Sequence, residues 1–239
     1  AIAHGRELVA QGADMIDVGG ESTRPGATRV EADVERERVT PVVEALAQEG
    51  IMVSVDTMRA SVAEAAVEAG AVLLNDVSGG LADDNMYKVM AQAQMPVCLM
   101  HWRTVRFGDA AGSADHNGDV VKDVHETLAR LTDNALKAGV GPELISLDPG
   151  LGFAKTPQDN WALLKSLPEF IAGDYPILVG ASRKRFLSAI REDRGAEHGP
   201  HLADPATAAV TALSAQLGAW AVRVHDVPVS RDAVDVAAA

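Results

Sequence analysis

The sequence predicts an α/β protein of the TIM-type (β/α)8 barrel class. Short apolar, β-rich runs alternate with longer amphipathic segments along the 239 residues, the rhythm of strands joined by helical crossovers. Polar groups fall at the carboxyl end of strand after strand, where a barrel of this class builds its site. A doubly wound sheet would gather them at one topological switch point instead. The chain opens on a helical segment, residues 6–10 before Gly12, so a strand is expected ahead of it. Seven visible strands and that one make the eight that close the barrel.

The strands are read at residues 15–19, 52–56, 72–76, 97–101, 144–148, 177–180 and 221–225. Each is nearly continuously apolar and then ends in polar or glycine residues, as parallel strands covered on both faces do. Residues 33–48 are amphipathic but contain Pro41, which gives a kinked helix or two pieces. A helix over 61–69 sets Val62, Ala65 and Ala66 on one face and stops at Gly70. Residues 104–117, rich in Gly, Ala, Asp and Ser, read as a long βα loop. The next helix, 120–138, spaces Val121, Val124, Leu128, Leu131 and Ala135 by three or four and ends at Gly139. Residues 191–199 read as a solvated excursion, and Asp204-Pro205 as an N-cap with a first-turn proline opening a helix that runs to Gly218. One domain over residues 1–239 is expected, close to the usual barrel size of about 250 residues.

Composition excludes several classes. Hydrophobic residues at 47% and charged residues at 23% describe a globular chain, not a disordered one. Acidic residues outnumber basic ones 34 to 21, a net charge of −13, so a non-specific nucleic-acid binder is excluded. The single cysteine, Cys98, permits no internal disulfide, and its apolar run makes it a buried small hydrophobe. No apolar stretch approaches the roughly 18 residues of a membrane span, and no secretory signal is visible, so no membrane partner and a cytoplasmic location are expected. The histidines show no HExxH spacing, so no zinc is expected.

The polar strand ends carry the chemistry. Asp56, the pair Asn75-Asp76, and Asp148 could serve as metal ligands, acid/base groups or a hydrogen-bonding floor for a polar ring; singly, each could also cap a helix. Period-2 geometry lets only one of Asn75 and Asp76 face the barrel axis. In Gly180-Ala181-Ser182-Arg183-Lys184-Arg185, three cations beside a hydroxyl at a helix start suit an anion. Arg223 and His225, two apart, face the same way on the last strand and make a second anion site. The turn Asp148-Pro149-Gly150-Leu151-Gly152-Phe153 matches neither nucleotide fingerprint, and its Phe153, exposed by the flanking glycines, could wall an aromatic ligand. His101 also ends a strand, without an assignable role.

Taken together, several runs resemble dihydropteroate synthases of the actinobacterial type. They are Asp17-Val-Gly-Gly-Glu-Ser-Thr-Arg-Pro-Gly-Ala27, Ser54-Val-Asp-Thr57, Asn75-Asp-Val-Ser-Gly79, Asp148-Pro-Gly-Leu-Gly-Phe153, Gly180-Ala-Ser-Arg-Lys184 and Arg223-Val-His225, in family order along essentially the whole chain. The resemblance implies a pterin-binding barrel that joins 6-hydroxymethyl-7,8-dihydropterin diphosphate to 4-aminobenzoate, giving 7,8-dihydropteroate and diphosphate in folate biosynthesis. It also implies Mg²⁺ as cofactor, a homodimer, and a target for sulfonamides.

Roles follow from the same resemblance. Asp56, Asn75, Asp148, Lys184 and Arg223 are implied to bind the pterin, and Thr23, Arg24, Arg223 and His225 the diphosphate. Thr23, Arg24, Pro25, Phe153, Ser182 and Arg183 are implied around 4-aminobenzoate. No covalent catalyst is implied; Lys184, Arg223 and His225 act electrostatically. The family's first strand, with the asparagine that meets Mg²⁺ and diphosphate, and its first loop have no counterpart in the 239 residues, so no metal ligand is assigned. Two alternatives share parts of this pattern: the pterin-binding barrel of a corrinoid-dependent methyltransferase, and a non-catalytic pterin-binding paralogue. Thr23-Arg24-Pro25 with Ser182-Arg183-Lys184 speaks against the methyltransferase, which needs no aminobenzoate pocket.

Overall fold

A computed structural model describes residues 1–22, 28–104 and 115–239. Its first half runs α1 (Ile2–Ala10), β1 (Ile16–Gly19), α2 (Ala32–Gln48), β2 (Val53–Asp56), α3 (Ala60–Glu68), β3 (Leu73–Asp76), α4 (Met86–Ala93) and β4 (Val97–Met100). The second half runs α5 (Val120–Ala138), β5 (Ile145–Asp148), α6 (Pro157–Lys165), α7 (Leu167–Ile171), β6 (Leu178–Val179), α8 (Arg185–Glu192), α9 (Asp204–Leu217), β7 (Ala221–Val222) and α10 (Val227–Ala238). Strands β1 to β5 pair in sequence order, all parallel, and β6 pairs with β7 in the same sense. A parallel bridge from Leu147 to Ile177 links the two groups, so seven strands follow one another in order. The fold is an incomplete (β/α)8 barrel.

Period-2 alternation sorts each strand into two faces. Ile16, Val18, Val53, Val55, Leu74, Val97, Leu99, Ile145 and Leu147 join one apolar core with helix residues such as Val39, Val43 and Leu46 of α2 and Val62 and Ala66 of α3. Removing such side chains from water stabilises the fold by roughly 1.5–3 kcal/mol each. The alternate positions, Asp17, Ser54, Asn75, Ser146 and Asp148, carry polar groups. A smaller apolar cluster of Met58, Val77, Met100, Trp102, Phe153 and Ala154 lies near the carboxyl ends.

The element boundaries show which local signals prevail. Helix α2 is one helix despite Pro41. The helical acceptor left without a donor is the carbonyl of exposed Glu37, which water can satisfy. Helix α5 takes its expected ends, with the Asp119 side chain accepting from Lys122 N at 3.0 Å and Gly139 left-handed at φ 103°. Asp204 is not an N-cap: Ala203 holds that position, and the Asp204 carboxylate instead receives Arg183. The last two strands are shorter than expected, two residues each, and β7 ends at Val222, before Arg223 and His225. Most of the 104–117 loop, residues 105–114, lies outside the described residues. Among the described residues, no helix is long and apolar enough to cross a membrane.

Candidate active site

Asp17 is the hub of the carboxyl end. Its Oδ1 accepts from Ser54 Oγ at 2.5 Å, and its Oδ2 accepts from Asn75 Nδ2 at 3.1 Å and Arg223 Nε at 2.5 Å. Residues from β1, β2, β3 and the end of β7 therefore meet on one carboxylate. The parallel register explains it, since Asp17 lies beside Ser54, and Asp56 beside Asn75. Arg223 also reaches Asp56 Oδ2 at 3.4 Å, so one guanidinium spans from the last strand to the first two. The Asp17 charge, against burial and with help from Asp56, holds that guanidinium above its ordinary value. Burial, then the Asp17 charge, pushes the Asp56 carboxyl up to about 7, although Arg223 and Lys184 pull it down.

Asn75, rather than Asp76, belongs to this cluster. Asp76 turns the other way and holds a loop, accepting from Ser78 N, Ser78 Oγ and Gly80 N at 2.7–2.8 Å. Asp148 stands at the end of β5, buried, with its carboxyl raised by burial against the pull of Gly150 N–H and Lys184. Gly150 N donates to Asp148 Oδ1 at 2.7 Å and fixes the carboxylate. Gly150 has φ +72°, and a Cβ there would meet the His101 carbonyl oxygen at 2.0 Å, so this position requires glycine.

The cationic run after β6 divides. Lys184 enters the site with Nζ 4.0 Å from the centroid of the Phe153 ring. Arg183, left-handed at φ 57°, makes paired bonds of 2.8 Å to Asp204. Phe153 is buried rather than exposed, and its ring packs on Trp102 with centroids 5.1 Å apart. Ser182 and His225, given to opposite ends of the site by the resemblance, are bonded to each other. Ser182 Oγ lies 2.9 Å from His225 Nδ1, and His225 N donates to the same Oγ at 3.1 Å. Arg223 and His225 are both exposed and lie beyond the end of β7, and they reach different partners, Asp17 and Asp56 for the first and Ser182 for the second. Thr23, Arg24 and Pro25 lie outside the described residues.

Beneath the turn after β5 sits a network that the sequence did not reveal. Buried His101 accepts from Lys155 Nζ at Nδ1, 2.9 Å, and by that tautomer donates from Nε2 to Asp123 Oδ2, 3.3 Å. His116 Nδ1 lies 2.7 Å from the same Oδ2, and Arg103 donates to Asp123 Oδ1 at 2.7 Å. Burial, then the Lys155 charge, pushes His101 down to about 3; burial pushes Lys155 down to about 7. His101, His116 and Asp123 form a three-residue cluster of metal-ligating type. Two imidazoles flanked by Arg103 and Lys155 do not suit Mg²⁺, which takes oxygen ligands. At the hub, the Asp17 oxygens already accept from Ser54, Asn75 and Arg223, so the described residues offer Mg²⁺ no open oxygen cage.

What the site can do follows from its charges. Polar acceptors from four strands, Asp17, Asp56, Asn75 and Asp148, gather at the carboxyl ends and suit a ring edge rich in N–H donors, while cations such as Lys184 and Arg223 suit an anion. Sequence reasoning assigned no role to Asp17, Ser54 or Lys155. For Asp17 a signal existed, a lone charge between Ile16 and Val18 on the alternating face of a buried strand. Nothing local marked Lys155.

Comparison with known proteins places the fold within one family. A family model described as pterin binding enzyme matches residues 1–225. The dihydropteroate synthase of Mycobacterium leprae is 51% identical over 240 residues, covering 100% of this chain and 84% of the relative. That of Bacillus subtilis is 41% identical, covering 95% and 75%. The Xanthomonas albilineans dihydropteroate synthase solved with 4-aminobenzoic acid aligns with TM-score 0.88 at 41% identity, covering 98% of this chain and 82% of the other. The Yersinia pestis enzyme in a sulfonamide drug complex aligns with TM-score 0.92 at 33% identity, covering 99% and 83%. The strand-end acceptors and the cations above them thus sit in a scaffold shared along the whole chain, which belongs to the pterin-binding enzymes and, within them, to the dihydropteroate synthases.

Proposed function

We propose that Asp56, Asn75 and Asp148, with Asp17 behind them, take the donor and acceptor edge of 6-hydroxymethyl-7,8-dihydropterin diphosphate. The chain is a transferase that condenses this compound with 4-aminobenzoate in folate biosynthesis. The observation that carries the site reading is the convergence of side chains from β2, β3 and the end of β7 on the Asp17 carboxylate of β1. Ionised carboxylates bind ring N–H groups more strongly than neutral acceptors do. Arg223 covers this floor, and with Lys184 and His225 stabilises negative charge as the exocyclic C–O bond breaks and diphosphate departs. The aryl amine then forms the C–N bond and sheds a proton. No protein nucleophile is needed; placement and fixed charge lower the barrier.

Ser182 and Phe153 are proposed beside 4-aminobenzoate, with Arg183 holding the turn through Asp204. Thr23, Arg24 and Pro25 keep their proposed roles at diphosphate and 4-aminobenzoate on the resemblance alone. Mg²⁺ is proposed as the counter-ion of diphosphate, where it would be held chiefly by phosphate oxygens and water. A homodimer is proposed through α9, where Leu213 at 60% and Leu217 at 41% exposure share a face just before Trp220 at 47%. Light scattering on the chain and on Leu213→Glu tests this: a monomeric wild type removes it. Cytoplasmic location and competition of sulfonamides with 4-aminobenzoate complete the proposal.

The function itself is tested by incubating the enzyme with both substrates and Mg²⁺ and measuring dihydropteroate and diphosphate. The reading requires equimolar formation of the two. Pterin binding without 4-aminobenzoate incorporation would favour a methyltransferase-type barrel or a binding protein.

A further inference from the structure

The turn that carries Asp148 and Phe153 is held from beneath by side chains that touch no proposed substrate group. Lys155 Nζ donates to the Gly150 carbonyl at 2.9 Å and the Phe153 carbonyl at 3.1 Å, and lies 2.9 Å from His101 Nδ1. The adjoining Ala154 carbonyl lies 3.1 Å from His116 Nε2. Both histidines lead to Asp123 on α5, which Arg103 also grips. Three carbonyls of this turn, those of Gly150, Phe153 and Ala154, are therefore held through a single helix-borne carboxylate and one ammonium.

We propose that Lys155 is a positioning residue for pterin recognition, acting through the 150–153 turn on Asp148 and on the Phe153 ring beneath Lys184. The inference rests on the pterin site proposed above. The chain of contacts is short. With its carbonyl fixed by Lys155, Gly150 presents its N–H to Asp148 Oδ1 at 2.7 Å, which sets the rotamer of that carboxylate. Phe153 N closes the turn onto the Gly150 carbonyl at 3.2 Å, so the ring under Lys184 is placed by the same anchor. His101 N donates to the Asp148 carbonyl at 2.9 Å, so the residue that orients Lys155 is also tied to the strand end that carries the carboxylate. Deleting the ammonium takes the donor from the Phe153 carbonyl and leaves the Gly150 carbonyl only the Phe153 N–H of the turn itself, so the turn must move or take up water.

The test is Lys155→Met in the whole enzyme, read by hydrogen exchange over residues 149–154 and by titration with dihydropterin diphosphate. Expected are faster exchange in the turn and affinity about tenfold weaker, with kcat reduced less than kcat/KM. In Lys155→Ala, ethylammonium should restore part of the affinity, whereas tetramethylammonium, which has no N–H, should not. Unchanged exchange overturns the proposal, and so does faster exchange with wild-type affinity and KM. A lowered melting temperature alone is what a merely structural lysine would give, without the affinity loss or the rescue. Should Lys155→Met fail to melt cooperatively, Lys155→Arg, which keeps the charge but alters the donor geometry, is read in the same two assays. Wild-type enzyme that binds no dihydropterin would instead overturn the site reading on which this rests, before any variant is made.

Discussion

Replacing Asp17 by Asn separates the hub from its shape. The substitution is nearly isosteric but removes the charge and exchanges one acceptor oxygen for an NH₂ group. Three donors converge on the native carboxylate, from Ser54, Asn75 and Arg223. An asparagine oxygen can keep one or two of them, so about two charge-assisted bonds are lost or weakened, on the order of 3–4 kcal/mol at roughly 1.5–2 each. Two effects reduce that figure. The Arg223 side chain is 42% exposed, so water screens and rehydrates it. The Asp17 charge also raises the Asp56 carboxyl, and its removal relieves that repulsion. A net loss of about 1.5–3 kcal/mol in unfolding free energy is expected, measured by urea titration with an unchanged m-value. Pterin affinity should fall with it, because Asn75 loses the partner that aims its amide. Destabilisation below about 0.5 kcal/mol, or wild-type affinity in the folded variant, would refute the assignment of Asp17 as the hub.

Asp148→Asn should weaken pterin diphosphate binding by about 1.5–3 kcal/mol in calorimetry while the variant stays folded. Ser182→Ala and His225→Ala should be non-additive in a double-mutant cycle of kcat/KM, because their side chains share a 2.9 Å bond; a coupling indistinguishable from zero would mean that they act separately. Gly150→Ala should cost about 2–3 kcal/mol of stability, since φ +72° is strained for alanine and the Cβ would meet a backbone oxygen; thermal melts within a degree of wild type would contradict the turn geometry.

Much of this was legible in the sequence because barrel strands announce themselves twice, by apolar runs and by the polar residues that end them. Each strand ending in Asp56, Asp76 or Asp148 stops where the sequence placed it. Strand β7 ends early because β6, its ladder partner among the described residues, is two residues long; Arg223 N still reaches the Val179 carbonyl at 3.0 Å before the chain leaves the sheet. The cationic run read as one anion site divides because Arg183 adopts a left-handed conformation and meets Asp204, a partner 21 residues away. Choosing between Asn75 and Asp76 needed a strand two places away in the sheet, since the Asp17 carboxylate on β1 lies 58 residues away in sequence. Lys155 and His101 were illegible for a related reason: their partners lie on segments 54 and 22 residues distant, and no periodicity encodes such a pairing.

The claim at the centre of the account is that strand-end carboxylates bind the pterin edge as anions. Asp56 tests it most directly, because its carboxyl lies at about 7 in the free site and is therefore partly protonated near neutral pH. Ring N–H donors favour the ionised form, so binding must lower that value and expel a proton, and affinity must rise as pH climbs from about 6 to 8. The measurement is calorimetric titration of 6-hydroxymethyl-7,8-dihydropterin, without its diphosphate, into the enzyme at pH 7 in buffers of different ionisation enthalpy. Fractional proton release in wild type, absent in Asp56→Asn, is the predicted result. Proton uptake, or a binding enthalpy independent of the buffer, would contradict it.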